Sequence, residues 1–422
     1  MKFNKRKLSN GLTIIEVPSS DAESVVVDFF VKTGSRSETE KESGISHFLE
    51  HFLFKGTKKY PSALAISSIV DAIGGEMNAN TGKEHTQFYI KAASKHLELI
   101  FTLLSDMIQN PLLDSFELEK EKGVIVEEIN MYKDTPMYEI ENILENIMWP
   151  GEPLGRDIAG SKETVVKFTR EMFADYINRH YQMPNMILGV SGKYDQKKLS
   201  ALIKQYWVSY PKKKFYGWEK AKDKQAHPRL RVQFKETEQA HVSFGFKGLP
   251  YGDKRNAAQT VLSAVLSGGM SGRLFMEVRE KRGLAYYVSA SGSAYQDTGV
   301  FGVRAGVQVV KIEEAIKVIL EELKKIKTTP VGADELKKAK EYLKGKTILA
   351  LEDNQVRLDW FVEAEAFKPK ILTPQEIFKI IDAVTATEIK KVAQDLFKEK
   401  NMSLAIIGPY KGEEKFKKML HV

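Results

Sequence analysis

The sequence has no cysteine among its 422 residues. Disulfides and thiolate ligands are therefore excluded, and any metal ion would have to bind histidine, aspartate or glutamate. Long apolar runs are also lacking, because no unbroken apolar segment follows the basic N-terminal stretch MKFNKRKLSNGLTIIEV. We therefore expect no signal peptide, no transmembrane helix and no membrane partner, and we predict a cytoplasmic location.

Composition is that of a folded protein, with 42% hydrophobic and 28% charged residues. A chain of this length exceeds one ordinary hydrophobic core, so we expect at least two domains. The net charge of +8 raises the alternative of a nucleic-acid binder. However, the lysines are mixed with glutamates in stretches such as EELKKIK, which is typical of solvated helix faces. We therefore predict no nucleic-acid partner.

The two halves of the chain show a similar order of elements. In the first half, strands are predicted at 5–8, 12–17, 24–32, 76–91 (a pair) and 186–192. In the second half they are predicted at 240–246, 286–293, 300–309 and 403–407, again with amphipathic helices between them. This repetition predicts an α+β fold of two homologous domains, each an antiparallel sheet with layered helices, related by a pseudo-two-fold repeat. We place the domains at 1–210 and 229–422, joined by a charged linker at 211–228.

The stretch GISHFLEHFLF, residues 44–54, carries the first candidate functional residues. His47 and His51 are four apart and share one face of a helix. Two imidazoles at this spacing are suited to binding zinc, and the nearby Glu50 is suited to deprotonating water. The pattern His-x-x-Glu-His is the inverted form of the zincin signature. The alternative is a solvated or hydrogen-bonded histidine pair without a metal.

A third ligand is offered by the helical stretch KEKGVIVEEINMYKD. Glu121 and Glu128 are seven apart, which is two helical turns, so they lie on one face. Glu127 points about a quarter-turn away and is expected to be solvated. For Glu121, an ordinary exposed glutamate on a charged helix is the alternative.

With these motifs the sequence resembles the pitrilysin, insulin-degrading enzyme and mitochondrial processing peptidase family of zinc peptidases, over almost its whole length. The stretch HFLEHFLFKGTKKYPS and the 76-residue gap between His51 and Glu128 (128 − 51 − 1) carry the resemblance. It implies one Zn²⁺ per chain, bound by His47, His51 and Glu128. It also implies that Glu50 acts as the general base and acid, and that Glu121 supports the site without being a primary ligand.

Two further stretches resemble the family's pattern. Asn78, Ala79, Asn80 and Thr81 resemble an edge strand beside the metal, which binds extended peptides by β-augmentation. Here the alternative is an ordinary hairpin, and the resemblance implies a structural role for the neighbouring His85.

In the second half, SGRLFMEVREKRGLAY resembles the family's Arg/Tyr motif. The resemblance implies that Arg279 and Tyr286 position the substrate and stabilise charge on its carbonyl oxygen. From the residues alone, Arg279 is a surface ion-pairing residue of an amphipathic helix. Because one chain carries both this motif and the histidine motif, we predict a homodimer in which Arg279 and Tyr286 complete the partner's site in trans.

The resulting functional hypothesis is a zinc-dependent endopeptidase that hydrolyses unfolded peptides inside a dimeric chamber. The competing hypothesis is a catalytically silent scaffold subunit with the same fold. The four residues His47, Glu50, His51 and Glu128 favour the enzyme, since the silent subunits have degraded metal motifs.

Overall fold

A computed structural model describes residues 1–210, 213–214, 217–222 and 224–421 of the chain. Positions 211, 212, 215, 216 and 223 of the predicted linker lie outside the described residues. In the rest of the chain, no described helix is both long enough and apolar enough to cross a lipid bilayer.

The first half of the chain contains six strands and eight α-helices among its described residues. The strands are β1 (Asn4–Lys7), β2 (Thr13–Pro18), β3 (Ser24–Val31), β4 (Glu76–Thr81), β5 (Thr86–Ala93) and β6 (Met186–Gly192). The helices are α1 (Ile45–Leu53), α2 (Ala63–Asp71), α3 (Leu97–Gln109), α4 (Ser115–Asp134), α5 (Pro136–Met148), α6 (Lys162–Val165), α7 (Arg170–His180) and α8 (Gln196–Trp207).

The second half contains five strands and seven α-helices among its described residues. The strands are β7 (Arg229–Phe234), β8 (Gln239–Lys247), β9 (Ala285–Ala294), β10 (Gly299–Gln308) and β11 (Met402–Gly408). The helices are α9 (Asn256–Ser267), α10 (Ile312–Thr328), α11 (Ala333–Ala350), α12 (Asn354–Phe367), α13 (Pro374–Ala383), α14 (Ala386–Leu396) and α15 (Glu414–Lys417).

Local sequence accounts for many of these elements. Strand β3 reads SVVVDFFV, rich in β-branched and aromatic residues, and every residue after Ser24 is buried. Helices α13 and α14 each begin with a capping box, in which Thr373 pairs with Glu376 and Thr385 pairs with Glu388. Such pairs satisfy backbone N–H groups that a helix start leaves free, so the sequence marks these starts locally.

The strands form two sheets with matching order. The first sheet has the order β1-β2-β6-β3-β5-β4 and the second has the order β7-β11-β8-β10-β9. In both sheets neighbouring strands are antiparallel, except for β2 with β6 and β7 with β11, which are parallel. The two-domain α+β fold and its repeat are thus confirmed, with mixed sheets in place of purely antiparallel ones.

The chain divides into two units that are discontinuous in sequence. The first unit comprises Met1–Asn130, Arg156–Glu219 and Ala350–Ala366. The second comprises Met131–Gly155, Lys220–Leu349 and Phe367–Val422. The division by chain order into domains 1–210 and 229–422 remains a prediction. In the two compact units, residues 131–155 belong with the second half of the chain and residues 350–366 with the first.

Packing explains why α5, from the first half of the chain, belongs to the second unit and why α12, from the second half, belongs to the first. In the second unit, α5 contributes Ile140, Leu144 and Met148 to a cluster with Ala405 and Ile407 of β11. In the first unit, α12 lies across the sheet so closely that a Cβ on Gly189 of β6 would be 3.0 Å from Leu358. Each helix therefore has its apolar residues covered in the unit to which compactness assigns it.

Candidate metal centre

Gly44, the residue that precedes helix α1, has a left-handed φ of 98°. A Cβ at this position would lie 2.5 Å from the carbonyl oxygen of Ala159, so glycine is required. The buried Glu38 accepts hydrogen bonds of 2.8 Å from the backbone N–H groups of Gly44 and Ser46. Burial raises the pKa of Glu38 to about 7, although these two hydrogen bonds act to lower it. The start of the metal-motif helix is therefore fixed by glycine geometry and by a carboxyl outside the helix.

The apolar residues of α1 face the core. Phe48, Leu49, Phe52 and Leu53 are all at most 1% exposed. Phe48 and Phe52 both contact the ring of Phe173, with centroid separations of 5.0 and 5.1 Å. This packing fixes the rotation of the helix about its axis and leaves the histidines on a less buried face.

Three side chains converge on that face. The Nε2 atom of His47 is 3.6 Å from Glu128 Oε1, and the Nε2 atom of His51 is 3.5 Å from Glu128 Oε2. One ligand atom from each of these residues lies within 4.8 Å of the others, and all three side chains are half-buried. Among the described residues they form the one such group of three, and His85 lies outside it.

Glu121 and Lys55 flank this group. Glu121 Oε1 is 3.0 Å from His51 Nδ1, and Glu121 Oε2 is 2.6 Å from Lys55 Nζ. Burial acts to raise the pKa of Glu121, but the hydrogen bond with His51 and the ion pair with Lys55 lower it below its ordinary value. The neighbouring Glu127, in contrast, is exposed and accepts a bond from Asn130, as solvation predicts.

The donor set fits zinc. Two imidazole nitrogens and one carboxylate oxygen match the ligands of catalytic zinc sites, which keep one position open. Because His51 Nδ1 is engaged by Glu121, its Nε2 is left to face Glu128. Burial acts to lower the pKa of His47, whereas Glu128 and Glu50 raise it, and the net shift is upward. The carboxylates thus create a negative environment that attracts a cation.

Glu50 lies on the same helix, and a residue of the edge strand β4 donates a hydrogen bond to its carboxylate. The hydroxyl of Thr81 donates a 2.5 Å hydrogen bond to Glu50 Oε2. Thr81 is the last residue of β4, which is the outer strand of its sheet. The side chain of Thr81 therefore contacts the candidate general base, whereas the sequence suggested only a backbone role at the substrate edge.

The rest of β4 has the alternation expected of an edge strand. Asn78 and Asn80 are exposed, and Ala79 between them is half-buried. Asn80 donates to Gln87 Oε1 at 2.9 Å and its side-chain oxygen is 3.0 Å from His85 Nε2. β4 pairs with β5 on one side, so its other edge carries backbone groups without a strand partner in this sheet.

Arg279 and Tyr286 lie in the second unit, whereas the metal group lies in the first. Arg279 is exposed and belongs to a π-helical segment, Phe275–Glu280, a rare conformation that is frequent at functional sites. Its guanidinium lies 5.1 Å from the centre of the Phe275 ring. Tyr286, the second residue of β9, is 56% exposed. Both side chains are thus available to a ligand.

Three contacts of the site were not predicted from the sequence. Glu38 accepts hydrogen bonds from the start of α1, Thr81 donates to Glu50, and Lys55 forms an ion pair with Glu121. Lys55 follows His51 by four residues, but it lies beyond the end of α1, so the helical spacing does not link it to Glu121. Glu38 and Thr81 likewise have no local signal that links them to their partners.

Two family descriptions match the sequence. The model described as "Insulinase (Peptidase family M16)" matches residues 14–162, which contain the metal group. The model described as "Peptidase M16 inactive domain" matches residues 167–343, which contain the Arg/Tyr motif. Together they cover more than half of the chain.

Curated relatives match along nearly the whole length. An uncharacterized zinc protease of Bacillus subtilis is 35% identical over 400 residues, which is 95% of this chain and 97% of the relative. An uncharacterized zinc protease of Streptomyces coelicolor is 34% identical over 421 residues, or 96% of this chain and 90% of the relative.

Solved structures share the fold. A protease from Helicobacter pylori matches with a TM-score of 0.91 and 25% identity over 97% of this chain and 99% of that one. The periplasmic protease PqqL from Escherichia coli matches with a TM-score of 0.80 and 20% identity, over 100% of this chain and 48% of that one. The fold of this chain therefore corresponds to about half of PqqL.

Proposed function

We propose that this chain, which belongs to the insulinase family (peptidase family M16), is a zinc-dependent endopeptidase that cleaves unfolded peptides. The observation that carries the proposal is the convergence of His47, His51 and Glu128 within 4.8 Å, beside Glu50 on the same helix. A structural role for the histidines would not require this combination of two imidazoles, a carboxylate and a neighbouring base.

The proposed roles follow from these positions. His47, His51 and Glu128 would hold one zinc ion per chain, with both histidines neutral. Zinc, when bound, supplies a Lewis acid that polarises a peptide carbonyl and acidifies water. Glu50 accepts a proton from the attacking water and later donates it to the leaving amine, as a general base and then a general acid. Thr81, through its hydroxyl, keeps the Glu50 carboxylate oriented on the metal side of α1.

Strand β4 is the proposed peptide-binding edge, through Asn78, Ala79, Asn80 and Thr81. An extended peptide that pairs with this edge would form main-chain hydrogen bonds, which depend little on its sequence. The contact between Thr81 and Glu50 supports this proposal, because it places the end of the strand next to the base. A folded protein presents no free extended segment, so unfolded peptides are the expected substrates.

We further propose that the enzyme is a homodimer in which Arg279 and Tyr286 act on the partner's substrate. Both are exposed donors suited to a carbonyl oxygen that acquires negative charge. Since the fold of this chain equals about half the length of PqqL, two copies would supply a comparable amount of structure. The cytoplasmic location stays a prediction.

The principal experiment measures zinc content and cleavage of a quenched peptide by wild type and Glu50→Gln. We expect one zinc per chain in both proteins, cleavage abolished by a chelator, and a loss of about 10²–10⁴-fold in kcat for Glu50→Gln. Bound zinc without Glu50-dependent cleavage would favour the silent scaffold. A wild-type protein that binds no zinc would contradict the metal centre.

The dimer is tested by mixing Glu50→Gln chains with Arg279→Ala chains. Each homodimer should be inactive, whereas a mixed dimer contains one complete site and should recover part of the wild-type cleavage rate. Subunit exchange is verified with two fluorescent labels. Exchange without recovered activity would show that Arg279 does not act in trans.

A further inference from the structure

Lys55 is a charged side chain near the metal group whose role the proposed function leaves open. It lies two residues beyond the end of α1 and four residues after His51. Its Nζ is 2.6 Å from Glu121 Oε2, and the opposite oxygen of the same carboxylate is 3.0 Å from His51 Nδ1. Lys55, Glu121 and His51 therefore form a linear chain of contacts that ends at a proposed zinc ligand.

The contact between Lys55 and Glu121 matters for the site because the Glu121 carboxylate is buried. The Glu121 side chain is 1% exposed, whereas that of Lys55 is 23% exposed. A buried carboxylate is stable only when it is paired, and removal of its partner leaves an uncompensated charge. Because Lys55 and His51 bind different oxygens, they together determine how the carboxylate is oriented.

Charge balance gives Lys55 a second effect. Glu50, Glu121 and Glu128 contribute a formal charge of −3, and Asp157, whose charge also acts on His47, adds −1. Lys55 contributes +1 beside Glu121, so it reduces the negative charge that a dication would meet but does not cancel it.

We infer that Lys55 is a positioning residue for the metal centre: it holds the Glu121 carboxylate in the orientation that makes His51 present Nε2 to zinc, and so strengthens zinc binding. This inference rests on the proposed zinc site. Without Lys55, the Glu121 carboxylate loses its ammonium partner, and His51 Nδ1 loses a fixed acceptor. Residues that hold a ligating histidine directly, as Glu121 holds His51, typically change metal affinity by 10–100-fold, and Lys55 acts through Glu121.

A direct effect of the Lys55 charge on zinc predicts the opposite change in zinc affinity. An ammonium group near a dication repels it, so its removal would tighten zinc binding if Lys55 acted through space alone. Positioning through Glu121 predicts weaker binding. The direction of the change in zinc affinity therefore separates the two physical explanations.

The experiment measures the zinc dissociation constant of the metal-free full-length chain by competition with a chromophoric chelator. Lys55→Met should raise the constant by about tenfold or more. Lys55→Arg, which keeps the charge, should retain most of the affinity. Lys58→Met removes an exposed lysine three residues away and should leave the constant unchanged. If Lys55→Met does not fold, Lys55→Gln makes the same comparison with a neutral side chain that still donates hydrogen bonds.

A second arm tests the route through Glu121. In a Glu121→Gln background, Lys55→Met should add no further loss, because the buried carboxylate that it positions is gone. An equal loss in both backgrounds, or unchanged or tighter zinc binding by Lys55→Met, would overturn the inference. A wild-type chain that fails to bind zinc would instead overturn the proposed function, so the two failures are distinguishable.

Discussion

Side-chain orientation at the metal centre depends on residues that are not themselves ligands. Glu121 engages His51 Nδ1, and Thr81 donates to Glu50 Oε2. Each of these contacts selects one position for a group that would otherwise rotate freely at a half-buried surface. The chemistry proposed for the site therefore requires these neighbours as well as the His-x-x-Glu-His motif.

Replacement of Thr81 by valine should lower kcat about tenfold. Valine has a similar shape but lacks the hydroxyl, and a hydrogen bond to a charged group contributes about 1.5–3 kcal/mol. The measurement is steady-state cleavage of a quenched peptide, together with zinc content. Thr81→Ser retains the donor and should remain close to wild type. Equal kcat values for the valine variant and wild type would show that the Glu50 contact is dispensable.

Glu38 should make stability depend on pH. Burial raises its pKa from 4.5 to about 7 in the folded chain, so the folded state binds its proton more tightly than the unfolded state does. Its contribution is complete below pH 4.5 and is lost as the pH rises toward 7, with a slope of up to about 1.4 kcal/mol per pH unit.

The check for Glu38 compares urea unfolding of wild type and Glu38→Gln across this pH range. The wild-type free energy of unfolding should fall relative to that of the variant as the pH rises, because all other titrating groups are common to both proteins. Parallel curves would rule out a titrating Glu38.

Among the elements, α1 is constrained most strongly at its first turn. The left-handed Gly44 allows the chain to turn into the helix while passing close to the carbonyl oxygen of Ala159. Strand β4, in contrast, is constrained on one side only, since it pairs with β5 and forms the sheet edge. A rigid helix beside an open strand is an arrangement suited to a fixed catalytic group and a variable peptide.

Alanine substitutions at two glycines should change stability in opposite directions. Gly44→Ala should destabilise by about 1–3 kcal/mol or more, because of its positive φ and the contact with Ala159. Gly123→Ala, in the exposed interior of α4 where a Cβ meets no atom within 4 Å, should stabilise by about 0.5–1 kcal/mol. Urea unfolding of both variants provides the measurement. A loss of stability for both variants would mean that glycine is required at position 123 of α4 as well.

Element prediction from sequence succeeded where the signal is local and failed where it is not. The core strands were predicted within a few residues of their observed bounds. Strand β7 was not predicted, because it alternates weakly in burial and follows the charged linker. Its pairing partner β11 lies about 170 residues later in the chain, so no neighbouring residues signal the strand.

At the scale of the whole molecule, each unit depends on one helix from the other half of the sequence. Leu358 and Phe361 of α12 are fully buried in the first unit, and Phe361 stacks on Phe3 at 4.6 Å. α5 does the same for the second unit through Leu144 and Met148. A cut between the two halves of the chain therefore separates residues that share a core.

A fragment of residues 1–219 should therefore fold poorly by itself. It lacks α12 and also exposes the apolar residues of α5, and each buried side chain contributes about 1.5–3 kcal/mol. Its urea midpoint should be lower than that of the full chain, and addition of fragment 220–422 should restore it. Cooperative unfolding of 1–219 alone at the full-length midpoint would contradict this dependence.

By itself, the sequence determined the family, the repeated α+β fold and the candidate residues His47, Glu50, His51, Glu121 and Glu128. These depend on helical spacing and on motifs, both of which are local or recur at a fixed distance. Only the tertiary structure decided the exchange of α5 and α12, the contact of Thr81 with Glu50, and the ion pair of Lys55 with Glu121. Such contacts join residues distant in sequence, and which of them form depends on how packed elements bring side chains together.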